Sequence, residues 1–136
     1  MQISLTKLQS YNIINRLLEN YYKQTNSDDI GSLLSVMQFL PDNMTADPAI
    51  WEDWIDSIEN KSILTKQEAF NGMIKFLEIY YGFTSSADAK LLIDEMHSAK
   101  SCDDMDVSIV KQWNVFLKEI LSEPEDSRQY LNLIKE

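Results

Sequence analysis

One histidine and one cysteine leave few routes to covalent catalysis in this chain. His97 and Cys102 stand close in sequence, but a nucleophile needs a positioned base and donors for the oxyanion. No nucleophile elbow or Gly-rich turn surrounds the pair, and His97 reads as a helix-end histidine. Glu95-Met96-His97 lacks the Glu-x-x-His spacing that puts two metal ligands on one helix face. There is no Walker sequence, no Gly-rich phosphate loop and no Cys pair. Asp103, Asp104 and Asp106 resemble the start of a calcium loop, without its sixth-position Gly and closing Glu. Paired carboxylates are plentiful through composition alone, so acid–base glycoside chemistry has no specific support. The expectation is a non-enzyme with no catalytic, cofactor or metal site.

Chemistry of another kind lies in the charge. The 136 residues carry 12 basic and 22 acidic side chains, a net of −10. Such a field repels nucleic acid and anionic membranes and attracts basic partners. The acids are unevenly balanced. Residues 24–60 contain no Lys or Arg, yet hold Asp28, Asp29, Asp42, Asp47, Glu52, Asp53, Asp56 and Glu59. The matching stretch later in the chain interleaves Lys90, Lys100, Lys111 and Lys118. Unbalanced like charges repel, and a basic partner would relieve that cost and be steered in quickly. The bland alternative is a solvated face that aids solubility. Asp28, Asp29 and Asp47 also suit helix N-termini, where the macrodipole favours carboxylates. Trp51 is either core or an exposed binding aromatic.

The elements that must position these residues come from a duplication. Shifted by 59 positions, residues 5–60 align on 64–119 without a gap, with 16 identities in 56 pairs. Unrelated segments of ordinary composition would share roughly 3 or 4. Each copy opens on a capping box, Thr6-x-x-Gln9 or Thr65-x-x-Glu68, in which cap and third helical residue exchange hydrogen bonds. The rows Tyr11, Ile14, Leu18, Tyr21 and Phe70, Met73, Leu77, Tyr80 follow the helical period. Thr25-Asn26-Ser27 and Thr84-Ser85-Ser86 end these helices and cap the next. Second helices are expected over 28–40 and 87–99. A third starts at Asp47-Pro48, and its counterpart spans about 106–121. Trp54 and Trp113 fall at equivalent positions and read as core anchors. Past Pro124, residues 125–135 read as a closing helix. Three Gly, three Pro and no period-two segment argue against an all-β fold.

The fold expected is therefore all-α: one domain over 1–136, a bundle of about six to seven helices built from two diverged three-helix repeats. One Cys excludes an internal disulfide. The first residues lack a signal-peptide pattern, and no apolar run is long enough to span a membrane. A cytoplasmic location is expected.

The segment SDDIGSLLSVMQFLPDNMTADPAIWEDW, residues 27–54, resembles a signature of bacterial contact-dependent growth inhibition immunity proteins. The preceding LTKLQSYNIINRLLENYYKQT is similar to the first helix of that pattern, and copy two resembles a diverged version. The resemblance implies a small cytoplasmic protein without catalysis. It would bind the C-terminal toxin domain of its cognate system, usually a nuclease, and cover its active site or substrate surface. Family contact residues vary between pairs and do not carry over. The charge reading agrees, since a nuclease cleft is basic. Asp28, Asp29, Asp42, Asp47, Trp51, Glu52, Asp53 and Asp56 are the expected toxin-binding residues. The alternative is an acidic helical-repeat adaptor joining proteins unrelated to toxins.

Overall fold

A computed structural model describes residues 3–126 and Arg128. It is an all-α bundle of six helices with one two-stranded ribbon. Copy one holds β1 (Ser4–Thr6), α1 (Lys7–Thr25), α2 (Asp28–Met37) and α3 (Pro48–Ser57). Copy two repeats the order with β2 (Ile63–Thr65), α4 (Lys66–Thr84), α5 (Ala87–Ser98) and α6 (Ser108–Leu121).

The local signals act as read. In both capping boxes the threonine oxygen accepts from the third helical N–H, at 3.1 Å each, and Gln9 or Glu68 accepts from the cap N–H. Asn26 and Ser85 turn left-handed, at φ 53° and 54°, to end α1 and α4. Ser27 and Ser86 then cap α2 and α5. Asp47 caps α3, with Pro48 at its first position.

Three boundaries differ from expectation. The strands were not anticipated, because three residues are too few to display a period. The second helix ends at Met37 rather than residue 40, since Phe39 instead bridges Thr45 across a tight turn. The last begins at Ser108 rather than 106, because Asp104 is spent on the preceding turn, accepting from the Lys100 and Asp106 amides. Of the closing helix expected over 125–135, Glu125 and Asp126 form a turn. The remainder, apart from Arg128, lies outside the described residues.

The two copies are related by a pseudo-two-fold axis. β1 and β2 pair antiparallel with Leu5 opposite Leu64, which are equivalent positions. The same axis relates two crossed hydrogen-bond sets. Ser27 and Tyr21 donate to the Asp88 carboxylate at 2.5 and 3.1 Å. Reciprocally, Ser86 donates to the Asp29 carboxylate and Tyr80 to the Asp29 carbonyl, both at 2.8 Å. The third helix of each copy lies on the first helix of the other: α6 on α1, α3 on α4. Neither copy can bury its own apolar faces, and one hydrophobic core runs through both, with Trp54 and Trp113 buried in it.

Candidate binding surface

Four of the expected carboxylates meet on and beside α3. Asp47 accepts from the Ala49 amide at 3.1 Å and so holds the helix start. Glu52, Asp53 and Asp56 follow along the helix, where residues three and four apart share a face. Asp53 is half-buried, and its carboxyl lies above the usual carboxylate range. Burial is the main cause, followed by the charges of Asp56, Asp47 and Glu52. That order shows a row of acids close enough to feel one another. Among the described residues none of the four forms an ion pair.

The other three carboxylates lie elsewhere. Asp42 is exposed in the loop before α3 and accepts from the Met44 amide at 2.9 Å. Asp28 is exposed in the first turn of α2. Asp29 belongs to the seam between the copies, where its oxygens are engaged by Ser86 and Tyr80. The structure thus separates a continuous acidic row from a carboxylate that ties the fold.

Trp51 resolves its two readings by serving both. It packs edge-on against Tyr11 (centroids 5.2 Å apart) and Phe39 (6.0 Å), and it also lines an open cavity of about 420 Å³. Phe39 and the exposed Met44 line the same cavity. This hollow, whose lining also includes Lys7 and Arg128, adjoins the acidic row. Neither Phe39 nor Met44 carries a periodic signal in the sequence that would mark it as part of this surface.

The residues weighed for catalysis are dispersed. Cys102 is buried, and burial raises its thiol pKa. His97 is exposed, 3.5 Å from Glu78. Asp103 pairs with Lys66, while Asp104 accepts from backbone amides. Among the described residues no three His, Cys, Asp or Glu side chains are grouped to hold a metal ion. No helix there is long and apolar enough to cross a membrane.

No family model, no curated protein and no solved structure matches this chain.

Proposed function

We propose that this protein is an immunity-type inhibitor: it binds the basic substrate surface of a cognate toxin domain, of the nuclease class, and keeps substrate out. The observation that carries the reading is the row Asp47, Glu52, Asp53 and Asp56, which forms no ion pair among the described residues, beside the hollow lined by Trp51. A nuclease gathers positive charge to hold phosphates, and a rigid row of carboxylates mimics that polyanion. Steering by net charge speeds capture, which matters when a single toxin molecule must be stopped before it cuts. Specificity would come from the hollow, where a partner side chain seats against Trp51, Phe39 and Met44 and is shielded from water by the charged rim. The resemblance of residues 27–54 to contact-dependent growth inhibition immunity proteins supports the same partner.

The test is a titration against the toxin domain encoded next to this chain, at low and high salt, with wild type and the triple variant Asp47→Asn/Asp53→Asn/Asp56→Asn. The expected result is nanomolar binding that weakens steeply with salt. The variant should lose about 100-fold in affinity and most of the salt slope. Tight binding that ignores both salt and the variant would move the contact off α3. Absence of binding would leave an acidic helical adaptor.

A further inference from the structure

The internal repeat holds a cation in copy two at a place where copy one has only glycine. Lys90 is exposed on α5 and donates to Asp94 at 2.7 Å. Tyr81 and Glu78, on α4, act on the same ammonium. The hydrogen bond to Asp94 is the main reason the Lys90 pKa lies above the ordinary lysine value; the Asp94 charge, Tyr81 and Glu78 add to it. A lysine side chain thus has one aromatic and two carboxylates around it at the α4–α5 hairpin.

Copy one keeps these surroundings and lacks the cation. At a shift of 59 positions Glu19 matches Glu78, Tyr22 matches Tyr81, and Gly31 matches Lys90. Ser35 stands for Asp94, while Asp28 replaces Ala87, so two carboxylates remain. Glycine at 31 lets the Tyr22 ring lie against α2: a Cβ there would stand 2.7 Å from Cε1 and 3.2 Å from Cδ1 of that ring. Tyr22 still keeps 39% of its surface exposed. The result is an open groove of about 590 Å³, lined by Glu19 and Tyr22 from α1 and by Asp28, Gly31, Ser32 and Ser35 from α2. Among the described residues no Lys, Arg or His lines it, and Asp28 forms no ion pair.

We infer that this groove receives a lysine or arginine side chain of a basic partner protein, in the place that Lys90 fills in copy two. The stem of the guest side chain lies along the exposed part of the Tyr22 ring, and its cationic head meets Asp28 and Glu19. Cation–aromatic attraction and surface charge pairing are each modest. A free amine gains nothing beyond them. A protein adds contacts around the groove and is steered in by the net charge of −10. The inference does not rest on the toxin reading. The groove shares no residue with the α3 row or the Trp51 hollow, so the two proposals fail independently.

The test titrates the whole isotope-labelled chain with acetyl-Gly-Lys-Gly-amide and acetyl-Gly-Arg-Gly-amide. Expected are amide NMR shift changes centred on Gly31, Ser32 and Ser35, with Kd below about 20 mM. Gly31→Lys supplies the cation from within, as Lys90 does. With unchanged circular dichroism it should abolish these shifts and leave any at Asp53 and Asp56 as they were. Tyr22→Leu and Asp28→Asn keep Gly31 in place and should each weaken binding about threefold. Shifts spread evenly over all the acidic side chains, equal binding of the peptide with norleucine for lysine, or groove shifts that survive Gly31→Lys would overturn the inference. So would spermidine shifting the groove where neither peptide does, because that would make it a polyamine site.

Discussion

α3 and α6 stand at equivalent places in the 59-residue repeat, and the molecule uses them in opposite ways. α6 is tied down along its length: Gln112 accepts from Asn20, and Glu119 and Glu123 hold Arg16. Its charges are interleaved, with Lys111 and Lys118 beside Glu119. Among the described residues the acids of α3 form no ion pair, and its hold on the molecule comes from Trp54 and Ile58 beneath. Trp54 donates from its indole nitrogen to the Lys7 carbonyl at 3.0 Å, whereas the equivalent nitrogen of Trp113 is buried and has no partner among the described residues. The contrast teaches that a duplicated helix is free to specialise once the pair secures the fold. α6 became the scaffold's strut. α3 kept the anchors and turned its outer face into a charged display.

The comparison breaks most visibly at the anchors. Trp54→Ala and Trp113→Ala should each cost about 3–5 kcal/mol, because each empties the centre of a shared core. Trp54→Phe should cost about 1 kcal/mol more than Trp113→Phe, since only the former strands a carbonyl that had a donor. Urea unfolding of the four variants checks this, and equal costs for the two Phe variants would remove the asymmetry.

The next effect concerns how closely α3 lies on α4. A Cβ at Gly72 would stand 2.7 Å from Ile58 Cγ2 and 3.2 Å from the Trp54 ring, while its counterpart in copy one, Ile13, is a full side chain. Gly72→Ala should therefore destabilise by about 1–3 kcal/mol through overpacking. Gly82 lies in the same helix with open space around it, and Gly82→Ala should stabilise by about 0.5–1 kcal/mol. Thermal melts of the pair should move in opposite directions.

The smallest effect sharpens the electrostatic half of the contrast. Burial and three neighbouring acids raise the Asp53 pKa in the folded state. The folded protein thus holds this proton to higher pH than the unfolded chain does, and stability falls as pH rises through the window between the two values. Asp53→Asn should stabilise the free protein by about 0.3 kcal/mol at pH 7, a modest figure because solvent screens a half-exposed charge. The gain should vanish below pH 3, where both states are protonated. A basic partner would push the Asp53 pKa back down, so binding should release a proton at mildly acidic pH and weaken as pH falls.

Much of the fold was legible because its signals are local. The capping boxes, the Asn26 and Ser85 stops, the Asp47-Pro48 start and the 59-residue repeat all act within a few residues or through self-similarity. The candidate surface was legible in part. An absence of Lys and Arg over residues 24–60 is a composition signal, and it marked the α3 row. It marked Asp29 equally, because composition does not distinguish a carboxylate facing solvent from one holding a hydroxyl across a seam. Phe39 and Met44 were not legible, since a loop residue beside a hollow carries no period.

By itself the sequence determined the three helices of each copy, most of their caps, the twofold repetition and the sign of the net charge. Each of these rests on spacing or on charge, which need no knowledge of what packs where. Only the tertiary structure decided that the third helices cross to the other copy, that Leu5 pairs with Leu64, and that α3 ends at Ser57 where α6 runs on to Leu121. Those outcomes depend on which apolar faces meet across tens of residues, and many pairings satisfy the same helical period. The choice was made by burying both tryptophans in one core while closing a three-residue ribbon, a constraint that exists only in three dimensions.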